Sequence, residues 1–282
     1  LRGRWGDGLN ALAQYLAASL PGKTIGGNGL TKADPREGTW VANHTDKDGW
    51  HKWANFVEIE NGEAYLYSHA MAQLAIDICD SVDSSVDPTT GSSRLGWLNY
   101  PDPYGRERYV AFFFQLKDDA GNYLAAPANL NDPAVYKQEL YYRPARKGLA
   151  LACCCGAYYF PLFVQRHDSR LFYDDEMLGG VGVSGRNWMG QPLGPATRPT
   201  SGAFLREFEQ ALALVNVTAA PIVVNLPGGA NVWRKINGTA AHNDGATIAD
   251  ATFSIPAHDG RLLVRVGAPG GAVPVNQTLP TL

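Results

Sequence analysis

The chain has 282 residues, 45% hydrophobic and 18% charged, and its 24 Lys and Arg against 27 Asp and Glu leave a net charge of −3. This balance describes an ordinary globular protein and gives neither nucleic acid nor an anionic membrane a reason to bind. No apolar run approaches the roughly 20 residues of a membrane span, and the length suits one large domain plus a small one.

In chain order, Leu9, Leu12, Tyr15, Leu16 and Leu20 have helical spacing that stops at Pro21-Gly22. The chain opens at Leu1 without an initiator methionine or signal peptide, and Leu1 to Leu20 reads as the tail of an element already under way, as in a fragment or processed product. Lys23-Thr24-Ile25 opens a short strand that finishes around Gly26-Gly27-Asn28-Gly29. A polar stretch, 30–54, precedes the run Phe56-Val57-Glu58-Ile59-Glu60. Alternation puts Phe56, Glu58 and Glu60 on one face of a strand and Val57 and Ile59 on the other. A charge facing a core is costly unless it is paired or used. Asn61-Gly62 is turn chemistry, so Glu60 closes the strand at its carboxyl end. An exposed edge strand carrying both acids is the alternative.

Ala64 to about Ser81 is expected to be helical, and 82–107 is a long excursion rich in Ser, Asp, Pro and Gly. Tyr109 to Leu116 is almost wholly apolar, as a strand covered on both faces would be. Residues 132–147 read as a helix, and Gly148 to Phe160 as a further apolar strand. Within it, Cys153, Cys154 and Cys155 are adjacent, which makes bridging among them geometrically poor. Without a CxxC pair they read, with Cys79, as small buried hydrophobes and not as a zinc site. The alternation of elements predicts an α/β organisation. From about Phe204 short β-rich segments recur between Gly, Pro, Asn and Asp, which predicts a small all-β sandwich. The expected division is 1–200 for the α/β part and 201–282 for the sandwich, joined through a Gly/Pro-rich stretch, 179–201.

A set of motifs in this order resembles a known family. They are Pro21 to Asn28, Ile59-Glu60-Asn61, Gly156 to Phe160, Tyr173-Asp174-Asp175-Glu176, the turn Gly190 to Ala196, Arg206 to Glu209 and Leu212 to Asn216. Together they look like the glycoside hydrolases with a TIM barrel and a C-terminal β-sandwich, and more distantly like endo-α-1,4-polygalactosaminidase-like barrels. Where such proteins have Asn-Gly after the Arg-Glu-Phe segment, this chain has Gln210-Ala211. The resemblance implies a (β/α)8 barrel of which this chain holds the C-terminal half, since a whole barrel takes about 250 residues. It also implies that the missing strands carry an acid of the pocket.

The activity so implied is cleavage of a polysaccharide by two carboxylates, one protonated at the leaving oxygen and one acting as base or nucleophile. Glu60 is the expected catalytic acid or its partner, and Glu58 a buried helper paired with Arg or Lys. Asn28, at the end of the first strand, is a candidate for a sugar hydroxyl or else a turn residue. Gln115 and Lys117 close the third strand, a lysine in Lys117's position being more often a solvated loop charge. Tyr158 and Tyr159 close the fourth, as a stacking platform or as packing with a polar tip. Asp174, Asp175 and Glu176 form an acidic loop that binds substrate or is a solvated turn or helix start. His167-Asp168 has no Gly-x-Ser-x-Gly elbow to serve, and neither GxGxxG nor GxxxxGK[ST] occurs. No cofactor or metal is expected. The partner is a carbohydrate polymer, which places the protein outside the cell. The rival reading is a carbohydrate-binding protein that has kept a groove and lost its chemistry.

Overall fold

The computed structural model describes residues 2–20, 22–24, 26–28, 56–59, 62–85, 96–99, 101–127, 132–136, 138–162, 175–176, 179, 188–197 and 202–267. Helix α1 (Arg2–Ser19) opens the chain. From residue 11 on, Ala13 and Ala17 are buried, while Leu12, Tyr15 and, just past the helix, Leu20 are exposed, so part of the expected apolar face is turned to solvent. Strands β1 (Gly26–Asn28), β2 (Phe56–Ile59), β3 (Tyr109–Gln115) and β4 (Tyr158–Leu162) form one parallel sheet in sequential order.

One face of that sheet is packed. Val110, Phe112 and Phe114 alternate along β3 into a core shared with α2 (His69–Asp80) and α4 (Glu139–Cys155). Helix α2 starts at Ser68, whose hydroxyl accepts the Met71 N–H, and it turns Ala72, Ala75, Ile76 and Cys79 inward at helical spacing. The other face carries rings: Phe113 stacks on Phe160 at 5.0 Å, and Tyr109 lies 6.0 Å from Tyr158. Tyr158 and Phe160 remain 56% and 45% exposed, which is unusual for a parallel sheet.

The expected strand over Gly148 to Phe160 is corrected: most of it is the second half of α4, which follows the one-turn helix α3 (Pro133–Tyr136). From Arg146 to Cys155 no β-branched residue occurs, and Ala and Leu favour helix. Gly156, at φ 68°, ends the helix, with its N–H donated to Cys153 O and that of Ala157 to Ala152 O. The three cysteines therefore lie on a helix, free like Cys79, and burial pushes the Cys153 thiol up to about 12.

The remaining strands are antiparallel. They are β5 (Ala203–Glu207), β6 (Ala211–Asn216), β7 (Ile222–Asn225), β8 (Trp233–Lys235), β9 (Thr252–Ile255) and β10 (Asp259–Arg265). One sheet has the order β5-β6-β10-β8 and a second pairs β7 with β9. Alternation divides the larger sheet's side chains between two cores. Phe204, Ala213, Val215, Leu262 and Val264 face the core that holds α4, and Leu205, Leu212, Leu214 and Leu263 face β7 and β9. Helix α4 is thus sandwiched between the parallel and antiparallel sheets.

Two buried arginines fasten these layers. Arg146 on α4 gives a two-pronged contact to Asp259 on β10 at 2.7 and 2.8 Å, beside Gly260, where a Cβ would lie 2.6 Å from the Arg146 carbonyl. Arg206 on β5 pairs with Asp80 at the end of α2 and donates to the Cys154 carbonyl at the end of α4.

These findings overturn the (β/α)8 barrel. Among the described residues only four strands are parallel, β1 and β4 each have a single hydrogen-bonded neighbour, and no strand closes the sheet on itself. A closed barrel of this type needs about eight. The fold is β-rich and layered.

Candidate functional site

In an open parallel sheet, ligands gather at the carboxyl ends of the strands. Here the chain leaves β2 and re-enters the described structure as a short 3-10 turn, Gly62–Leu66, laid against β3. Gly62 permits that approach: a Cβ there would sit 3.1 Å from the Phe112 ring and 3.2 Å from the Phe113 carbonyl. The turn delivers Glu63 to the end of β3, where its Oε2 accepts the Gln115 N–H at 3.1 Å. Lys117 Nζ stands 3.7 Å from Oε1.

Glu63 is only 2% exposed. Burial raises its pKa above the ordinary carboxylate value of 4.5, against the pull of its own and the Gln115 N–H and of Lys117. Lys117 belongs to a tight hairpin, 116–124, in which Leu124 N–H bonds Leu116 O and Asn122 N–H bonds the Asp118 carboxylate. The hairpin places Lys117 Nζ 4.2 Å from the centroid of the exposed Tyr123 ring, and 5.8 Å from that of Tyr67. A buried carboxyl that holds its proton more firmly than usual, next to an amine and a solvent-facing ring, can give a proton to a bound ligand.

The structure distributes the sequence-predicted residues unevenly. Glu60 and Asp174 lie outside the described residues. Sheet register sets Asn28 against Glu58, Glu58 against Ala111, and Ala111 against Tyr158, so the backbones of three candidates share one row. Gln115 reaches the site through its main-chain N–H. The expected position of Tyr158 and Tyr159 is corrected: they open β4 and so lie at the amino end of the sheet, opposite Glu63. Tyr159 packs on Phe114 at 5.1 Å and against Gly148, where a Cβ would come within 2.7 Å of its ring.

Asp175 and Glu176 are neither solvated nor open. Asp175 accepts the N–H groups of Thr239 and Ala240 at 2.9 Å and the Asn243 amide at 3.1 Å. Glu176 accepts from the Tyr142 hydroxyl and, at 3.0 Å, from Asn243, with His242 Nε2 at 3.5 Å. Burial pushes the Glu176 pKa up, but His242, Tyr142 and Asn243 outweigh it and hold the group below its ordinary value. These two acids tie their segment to the loop after β8.

Sequence reasoning missed Glu63. The available signal was its place just beyond the Asn61-Gly62 turn, in the first turn after the carboxyl end of a strand. Among the described residues no group of three His, Cys, Asp or Glu is arranged to hold a metal ion, and no helix is long and apolar enough to cross a membrane.

No family model matches the sequence, and no curated protein matches it. A solved structure similar in part is CelM2, a bifunctional glucanase-xylanase from a metagenome library, at 12% identity and a TM-score of 0.36. The alignment covers 92% of this chain, which spans 59% of the length of that one.

Proposed function

We propose that the protein is a glycoside hydrolase that cleaves a polysaccharide at the carboxyl ends of β2 and β3. The observation that carries this reading is the buried, proton-retaining carboxyl of Glu63, set beside Lys117 and the exposed ring of Tyr123. Glu63 protonates the leaving glycosidic oxygen, Tyr123 stacks on a sugar ring, and Glu60, three positions earlier in the chain, is the partner carboxylate. Reducing-end release from a panel of polysaccharides tests it. Glu63→Gln and Glu60→Gln should each abolish release while the circular dichroism spectrum stays unchanged. Undiminished release by both variants would reject the assignment.

Carbohydrate binding without turnover is the second reading. It rests on the exposed rings of Tyr158 and Phe160, which lie beside Tyr109 and Phe113 on the open sheet face. It requires that Tyr158→Ala weaken binding and that no polymer of the panel be cut.

A further inference from the structure

Lys117 does not close on the acid beside it. Its Nζ is 3.7 Å from Glu63 Oε1, beyond the about 2.7–2.9 Å of a direct charge-assisted bond. Lys235, on β8, does close, with Nζ 2.9 Å from Asp244 Oδ2. Loss of water strengthens the attraction of opposite charges, and the Lys117–Glu63 pair is the more buried of the two. On charge alone it should be the tighter pair.

Two tyrosine rings account for the gap. Lys117 and Tyr123 are partners across the hairpin, and the ammonium lies 4.2 Å from the Tyr123 centroid and 5.8 Å from that of Tyr67. Both distances fall within the about 6 Å over which a ring face attracts a cation. Neither ring is free to follow the ammonium. The hairpin is pinned by the Asp118 N–H on Asn122 O at 2.9 Å and the Asn122 N–H on the Asp118 carboxylate at 2.8 Å. Tyr67 comes four positions after Glu63 and packs against the main core. The other charges around these rings are engaged: Asp119 pairs with Arg143, and Lys147, 5.0 Å from the Tyr67 centroid, has Asp119 and Asp259 as counter-charges. We propose that Tyr123, aided by Tyr67, is a positioning residue that holds the Lys117 ammonium short of contact with Glu63, leaving that acid able to keep its proton. Full contact would favour the anion, whereas an ammonium held nearby still meets the charge that forms once the proton is given away. The use of this arrangement in acid catalysis rests on the hydrolase reading above; the arrangement itself does not.

Carboxyl carbon NMR of the whole chain, labelled in glutamate, tests it without any substrate. The Glu63 signal is assigned by its loss in Glu63→Gln, and its titration midpoint is followed in each variant. In Tyr123→Leu, at an exposed position, the freed ammonium should close on Glu63 and the midpoint should shift down by about one pH unit. Tyr123→Phe keeps the ring face and should leave the midpoint where it is. Tyr67→Leu should shift it in the same direction by less, since that ring is farther from Nζ. On a Lys117→Met background, Tyr123→Leu should have no effect. A midpoint that stays or rises in Tyr123→Leu, or one that falls equally without Lys117, would overturn the positioning role and leave the hydrolase reading standing. If no polysaccharide of the panel is cut, the hydrolase reading falls, and the titration still decides whether the rings hold Lys117 away.

Discussion

Glu63 and Glu176 are equally buried, at 2% and 3% exposure, yet burial prevails at one and is overruled at the other. Glu176 is met by a tyrosine hydroxyl, an amide and an imidazole, which together favour the anion. Glu63 has two main-chain N–H groups, its own and that of Gln115, and an ammonium 3.7 Å away, which do not make up for the water it has lost. Burial alone therefore does not mark a functional carboxyl. The balance between burial and the groups aimed at it decides whether it serves as a fixed anion that binds layers together or as a proton reservoir.

The most decisive way to break this contrast is to remove each charge without changing shape. Glu63→Gln should cut hydrolysis by about 10²–10⁴-fold, the usual worth of a general acid, with the unfolding midpoint unchanged or higher. Glu176→Gln should keep turnover within a few-fold of the parent but cost about 1–3 kcal/mol of stability, because Tyr142, Asn243 and His242 lose the anion they surround. Reducing-end assays and denaturant titration read the two effects separately. If the phenotypes are exchanged, the roles assigned here are exchanged too.

A second perturbation acts on the backbone around the structural acids. At Gly238 a Cβ would fall 2.2 Å from Cγ of Asp175. Gly238→Ala should push that carboxylate away from the Thr239 and Ala240 N–H groups and cost about 1–3 kcal/mol. Activity should be spared, since Asp175 bonds Thr239, Ala240 and Asn243 and none of the groups around Glu63. A variant that unfolds at the parent's denaturant midpoint would mean the Asp175 contacts contribute nothing.

Much of the local structure was visible in the residues. Strands expected around Phe56 and over the apolar run from Tyr109 are found as Phe56–Ile59 and Tyr109–Gln115, and short segments after Phe204 are strands. The run from Gly148 to Phe160 misled because uniform apolarity shows neither a period of two nor one of 3.6. Its lack of β-branched residues and Gly156 as a stop were the better guides, and the error moved Tyr158 and Tyr159 to the wrong end of the sheet. Sheet closure was not legible at all, since it depends on how many strands pair and not on the pattern within any one of them. For Glu63 the sequence offered only its place just beyond Asn61-Gly62: the N–H it accepts belongs to Gln115, 52 positions away, and no local spacing encodes that contact.

The same contrast predicts opposite pH responses. Glu176 and Asp175 have folded pKa values below their ordinary ones, so their contribution to stability is present above the unfolded values and is lost as pH falls through the folded ones. Glu63 is raised from 4.5, so the folded state binds its proton more tightly. Stability should then decline as pH climbs from 4.5 through the raised value. In Glu63→Gln that decline should shrink, leaving the part due to Asp80, which burial also raises, while the acid-side loss remains. Denaturant midpoints measured across pH would show it, and an unchanged curve would mean that Glu63 ionises normally.

The smallest expected effect is also the most specific to mechanism. Lys117 pulls the Glu63 pKa down against burial, so Lys117→Met should raise it further. If Glu63 donates a proton in the rate-limiting step, kcat depends on its protonated form, and the basic limb of the kcat–pH profile should move to higher pH. If it instead acts ionised, as base or nucleophile, the acidic limb should move in the same direction and the basic limb should stay. A simple loss of fold would lower both limbs together without shifting either. Measured at saturating substrate, the limb that moves therefore assigns the proton on Glu63, and no movement of either limb would separate Lys117 from the chemistry.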